Sequence, residues 1–215
     1  MHWQYPAKYA DTTRTENTVI ENDGHALTLR LAGIAFCGSD FESFKAPPDA
    51  DPSILKQFTL NRGEPCSCTI ECEMPIPVVT PGRVIQATLG IQVVLGKPDH
   101  RSGVDLALSL AVEDQRFHTD LHEDLFEDAM LSLQKQLPEG WYLKACITCE
   151  FSDYSPYGQS LFGTLHCFRN SKTEYSCVKT KKDIFELWDK NAGPVQETYV
   201  CSEFDRRKPN TGYRG

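Results

Sequence analysis

The sequence predicts an α+β fold: a predominantly antiparallel β-sheet made of hairpins, with two helices packed on it. Three observations carry that prediction. Apolar and polar residues alternate along Val84 to Leu95 and Val104 to Val112, the period of a strand with one buried face. Turn residues punctuate the chain at hairpin spacing, and two segments only show helical periodicity. The stretch Trp141 to Arg169, WYLKACITCEFSDYSPYGQSLFGTLHCFR, sets two strand-like runs on either side of a Tyr, Pro and Gly loop. It reads as a central hairpin whose loop, with Tyr154, Pro156 and Tyr157, is displayed.

The elements follow in chain order. A polar leader, residues 1–14, precedes a hairpin turning at Asn22, Asp23 and Gly24, where Asp-Gly supplies the positive φ of a tight turn. Gly38 to Pro52 is a loop on its APPDADP core. A second hairpin turns at Asn61 to Glu64, and Pro75, Pro77 and Pro81 confine the end of its segment to an edge or a crossing, since proline cannot donate to a ladder. In the first alternating run Ile85, Ala87, Leu89, Ile91, Val93 and Leu95 share a face. Val104 to Val112 is its antiparallel partner. A helix is expected over Leu121 to Leu137, with Asp120 as N-cap and Glu123 completing a capping box. A shorter one is expected over Lys181 to Lys190, capped by Thr180 with Asp183 and stopped by Gly193 and Pro194. The final residues, 202–215, form a turn-rich basic tail. With no internal repeat and no low-complexity linker, 1–215 is expected to be a single α+β domain.

Composition narrows the class. An apolar fraction of 40% with 24% charged residues excludes a disordered or fibrous chain. The longest apolar run, Leu89 to Leu95, is too short to span a membrane, and the N-terminus has no apolar core of a signal peptide. A cytoplasmic location follows as the expectation. The net charge of −8 argues against a general nucleic-acid binder and favours a basic partner.

Nine cysteines without an export signal point to reduced thiols rather than a disulfide framework. Cys66, Cys68, Cys72, Cys146 and Cys149 are the candidate zinc ligands. The favoured reading makes them core thiols: Cys66, Cys68, Ile70, Cys72 and Met74 share one strand parity, and Cys146 and Cys149 on a strand point to opposite faces. His118 and His122 have the spacing of a helical metal pair, but the predicted helix start leaves His118 outside it. His166 beside Cys167 offers a base and a thiol, yet adjacent strand residues point apart. Walker, Rossmann and H-E-x-x-H patterns are missing from the sequence, so no catalytic residue and no cofactor is assigned.

Charge is most concentrated between Glu113 and Asp128, where seven carboxylates stand against Arg116 alone. Acids favour a helix N-terminus, and a single-sign field also steers an opposite partner. Glu123, Asp124, Glu127 and Asp128 are therefore candidate partner-binding residues, with Tyr154 and Tyr157 from the loop and Arg206 and Arg207 from the tail. The tail has a second reading, in which it folds back on the acidic helix.

At DYSPYG, LHCFR, ELW and VQET…EFDRR…TGYRG the chain resembles an uncharacterised bacterial family of about this length, a likeness lying mainly from Asp153 onward. By type it resembles the immunity proteins that neutralise bacterial polymorphic toxins. That resemblance implies a non-enzymatic, cytosolic binding protein that covers a basic toxin surface with its acidic helix face and aromatic loop. Two alternatives stand beside it: a metal-dependent or thiol enzyme around Cys146, Cys149, His166 and Cys167, and an assembly subunit pairing through edge strands.

Overall fold

The computed structural model describes residues 2–97, 103–120 and 125–214. Its main element is a nine-stranded antiparallel sheet. Four strands come early: β1 (Trp3–Asp11), β2 (Thr15–Asn22), β3 (Leu27–Leu31) and β4 (Ile34–Gly38). The long central pair is β7 (Cys68–Thr80) and β8 (Arg83–Leu95), after a short helix α1 (Pro52–Leu55) and the small hairpin β5 (Leu60–Asn61) and β6 (Glu64–Pro65). β9 (Val104–Val112) and β10 (Gln115–His118) complete one side, so the order runs β10-β9-β8-β7-β1-β2-β3-β4. After helix α2 (Phe126–Gln136), the short β11 (Tyr142–Leu143) adds to β7. A three-stranded sheet follows, β12 (Ser152–Tyr154), β13 (Leu165–Cys167) and β14 (Pro194–Val195), with helices α3 (Lys172–Tyr175) and α4 (Lys181–Leu187) between the last two. A mostly antiparallel sheet with a few short helices is thus the observed architecture.

The alternation read from sequence is what makes the large sheet one-sided. Ala87, Leu89, Ile91, Val93 and Leu95 are buried on β8 and pair in register with Leu106, Leu108 and Leu110 of β9 and with Ile70, Cys72, Met74 and Ile76 of β7. Helix α2 covers this face through Phe126, Ala129, Met130 and Leu133. Aromatic rings fill the remainder: Phe162 lies between Phe126 and Phe41, with centroids 5.1 and 5.2 Å away, and Phe58 meets Phe36 and Tyr9 edge-on. On the opposite face Lys8, Glu73, Gln86, Thr88, Ser109 and His118 are exposed.

Several expectations are corrected. The polar leader is largely strand. Residues 3–11 form β1, which pairs with both β2 and β7 and buries Tyr5 and Tyr9. Pro75 and Pro77 do not end their segment, because β7 runs through both and pairs with β8 over its whole length. The carbonyl of Pro77 accepts from Lys144 N at 2.8 Å, which places its missing N–H on the side away from β8. There β1 reaches only Cys72 and β11 begins only at Val78, so Pro75 faces no partner strand and Pro77 lacks only the bond that would return that of Lys144. Helix α2 starts at Phe126 rather than Leu121: Leu125 is extended and holds the N-cap position, while Glu123 of the expected capping box lies outside the described residues. The capping box of α4 is present in full, with Thr180 and Asp183 reciprocally bonded. The hairpin of 141–169 is short and peripheral, pairing Ser152 with Cys167 and Tyr154 with Leu165.

One-sided burial sets a testable contrast within a single strand. Leu89→Ala is expected to cost about 2–5 kcal/mol in urea denaturation through the cavity it leaves. Gln86→Ala, on the open face, is expected to stay within about 0.5 kcal/mol of the parent.

Candidate functional site

Three of the C-terminal motifs singled out in the sequence, DYSPYG, EFDRR and TGYRG, converge around one buried carboxylate. Asp153 is 0% exposed. Its Oδ1 pairs with Arg214 Nε at 2.9 Å, and its Oδ2 accepts from Tyr175 Oη at 2.8 Å and from Tyr213 N at 3.3 Å. Arg214 also reaches Glu127 of α2 at 2.7 Å and lies over the ring of Tyr154. Burial works against the charge on Arg214, but Asp153 and Glu127 outweigh it and raise its pKa. Close by, the carbonyl of Ser152 accepts from Tyr175, Arg207 and Arg214. Gly212 is required here: its φ is +70°, and a Cβ would collide with Tyr175 Oη and Asp153 Oδ2.

The VQET motif has the same role on the other flank. Gln196 exchanges two amide hydrogen bonds with Asn22 of β2, at 2.7 and 2.9 Å, both residues being buried. Glu197 accepts from Gly163 N at 2.6 Å and Thr164 N at 3.3 Å. Burial pushes its carboxyl up to about 7 against those hydrogen bonds. Burial and the charge of Glu197 together raise the Tyr154 phenol well above its ordinary value.

The sequence-predicted partner residues therefore divide. Tyr154, 2% exposed, is a core residue, a correction to its place on the displayed loop: it is the last residue of β12, and the loop begins after it. Glu127 and Arg207 are committed to internal partners, which favours the reading in which the tail folds back. Asp128 is exposed, and Arg206 is exposed with its guanidinium 4.5 Å from the Tyr142 ring centroid. Glu123 and Asp124 lie outside the described residues. Tyr157 is 77% exposed and makes edge contacts with Phe185 at 4.9 Å and Trp188 at 6.4 Å. Phe185 is itself exposed, and His166 lies against the far side of the cluster, 4.3 Å from Trp188. Sequence reasoning missed Phe185 and Trp188 as companions of Tyr157, because a helix of seven residues far along the chain brings them there.

The cysteines are free thiols. Cys146 and Cys149 do not sit on a strand as expected: Cys146 opens a 3-10 turn and Cys149 caps it, both buried. Burial raises the thiol pKa at Cys66, Cys68, Cys72, Cys146 and Cys149, Cys68 to about 12, which disfavours thiolate chemistry at these positions. Among the described residues no group of three or more Cys, His, Asp or Glu side chains is placed to hold one ion. Nor is any described helix long and apolar enough to cross a membrane.

Fold and site together define a one-faced antiparallel sheet protein whose C-terminal segment is pinned by a buried ion-pair network and which displays a small aromatic cluster. The chain belongs to DUF6304, a family of unknown function, whose model matches residues 3–152. The match thus covers the large sheet and α2, and the motifs from Asp153 onward that carried the resemblance lie beyond it. Comparisons with curated proteins and with solved structures give no match.

Two outcomes test the network. Arg214→Ala strips a fully buried carboxylate of its counter-charge and is expected to cost about 3–5 kcal/mol by chemical denaturation. Glu197 holds its proton in the folded state to about pH 7, above its ordinary 4.5. The proton excess of the folded state makes stability fall as pH rises through that interval. Between about pH 5 and 8 the thermal midpoint is expected to decline, and Glu197→Gln is expected to flatten the decline.

Proposed function

We infer that this is a non-catalytic protein-binding protein acting as an immunity protein: it sequesters a basic partner by docking it on the Tyr157, Phe185 and Trp188 cluster. One observation carries the reading. Tyr157 is 77% exposed while packed edge-on against two other aromatic rings, so rigid apolar area faces solvent with its conformation already set. Such preset aromatic area is what binding hot spots are made of, because little side-chain entropy remains to be lost on docking. The net charge of −8 supports a basic partner through steering. Exposed Asp128 is the part of the acidic helix free to face that partner; Glu127 is engaged by Arg214 and leaves the binding set.

The test is affinity isolation of the protein from its native cell at low salt, followed by titration of the isolated partner. A stoichiometric basic protein is expected, its affinity about tenfold or more weaker with Tyr157→Ala, a change of about 1.4 kcal/mol. Association is expected to slow as salt is raised. A partner that binds Tyr157→Ala as tightly as the parent defeats the proposed interface.

A further inference from the structure

The open face of the large sheet contains a groove of about 560 Å³, crossing β1, β7, β8, β9 and β10. That is ample room for one long side chain or a small molecule. Strand register decides what lies in it. Glu73 on β7 is opposite Gly90 on β8, Gly90 opposite Ser109 on β9, and Ser109 opposite His118 on β10. The next row runs Lys8, Glu71, Gln92 and Ala107.

The two rows differ in charge balance. In the second, Glu71 is served twice, by Lys8 Nζ at 3.6 Å and Gln92 Nε2 at 3.1 Å. In the first, Glu73 is exposed and makes no ion pair or side-chain hydrogen bond among the described residues. Between Glu73 and Ser109 no side chain rises from β8: Gly90 has none, and the Ser109 hydroxyl leans over it, where a Cβ would collide with Oγ. The floor beside the carboxylate is therefore low, with the Ser109 hydroxyl lying over Gly90 and the His118 ring beyond it. This row is not a catalytic triad. Ser109 stands between the carboxylate and the imidazole, so Glu73 cannot orient His118 as a base for the serine.

We propose that this groove is a receptor for an arginine side chain of the basic partner, the guanidinium setting its fork on Glu73 and its free edge toward the Ser109 hydroxyl over Gly90. This rests on the basic-partner reading and adds a second contact region to it. Arginine fits better than lysine on two counts. Its paired N–H groups match a carboxylate, and a remaining donor meets the Ser109 hydroxyl. The Lys8 ammonium pairs with Glu71 at 3.6 Å rather than with Glu73.

The test is an amide-resolved NMR titration of the full chain with Nα-acetyl-argininamide, with the neutral citrulline analogue as control. Saturable shifts are expected at Glu73, Gly90, Ser109 and His118. Glu73→Gln, an exposed position, is expected to weaken binding about tenfold, and the citrulline analogue to bind equally weakly. Equal binding by the citrulline analogue, shifts confined to other parts of the chain, or no saturation by the parent protein overturns the proposal. Tyr157→Ala is expected to leave this titration unchanged, which separates the two readings. A partner that needs Tyr157 but ignores Glu73→Gln rejects the groove alone, whereas arginine binding with no protein partner in the cell rejects the protein-binding reading alone.

Discussion

The buried pairing of Arg214 with Asp153 and Glu127 is the constraint on which the C-terminal part of this protein depends. Asp153 is fully buried, so its charge is tolerable only with a cation and several donors in place. The cation comes from Arg214, far along the chain, and the donors from Tyr175 and Tyr213. Glu127 extends the pairing to α2, so the helix on the main sheet and the chain terminus are held by the same guanidinium. Beside it, short elements with little core of their own, from β12 to α4, gather around Phe168, Tyr175 and Ile184. Tyr154 Oη and Arg207 Nε are buried there without a hydrogen-bond partner among the described residues, so it is the paired charges that specify the arrangement: any displacement leaves one of them uncompensated.

The network also bears on binding. It engages Glu127, Tyr154 and Arg207 internally and leaves the Tyr157 and Phe185 rings as the large apolar groups exposed in the C-terminal half among the described residues. The large sheet supplies a surface of a different kind, wide and polar, where Glu73 in the groove has no ion pair or side-chain hydrogen bond among the described residues. Both surfaces rest on rigid supports: one on a capped helix, the other on the long β7–β8 ladder.

Legibility varied with the range of the interactions. The pair Val84–Leu95 and Val104–Val112 and the capping box at Thr180 were readable because their causes are local: a period of two and a spacing of three. β1 was not, because Pro6 interrupts the Trp3, Tyr5, Ala7 and Tyr9 parity of WQYPAKYAD, and it is the neighbours on both sides that make it a strand. The prolines of β7 misled for the same reason, since whether a missing N–H matters depends on which side the partner strand lies.

By itself, then, the sequence determined a mainly antiparallel α+β protein, which strands face the core, where α4 is capped, and that the charge is acidic. Periodicity and turn chemistry act within a few residues, so they survive without the fold. Tertiary structure alone decided the rest: that Tyr154 is inside and Tyr157 outside, that Phe185 and Trp188 join Tyr157, and that Glu73 shares a row with Gly90, Ser109 and His118. Those relations join residues tens of positions apart, and only strand register and burial bring such residues into contact.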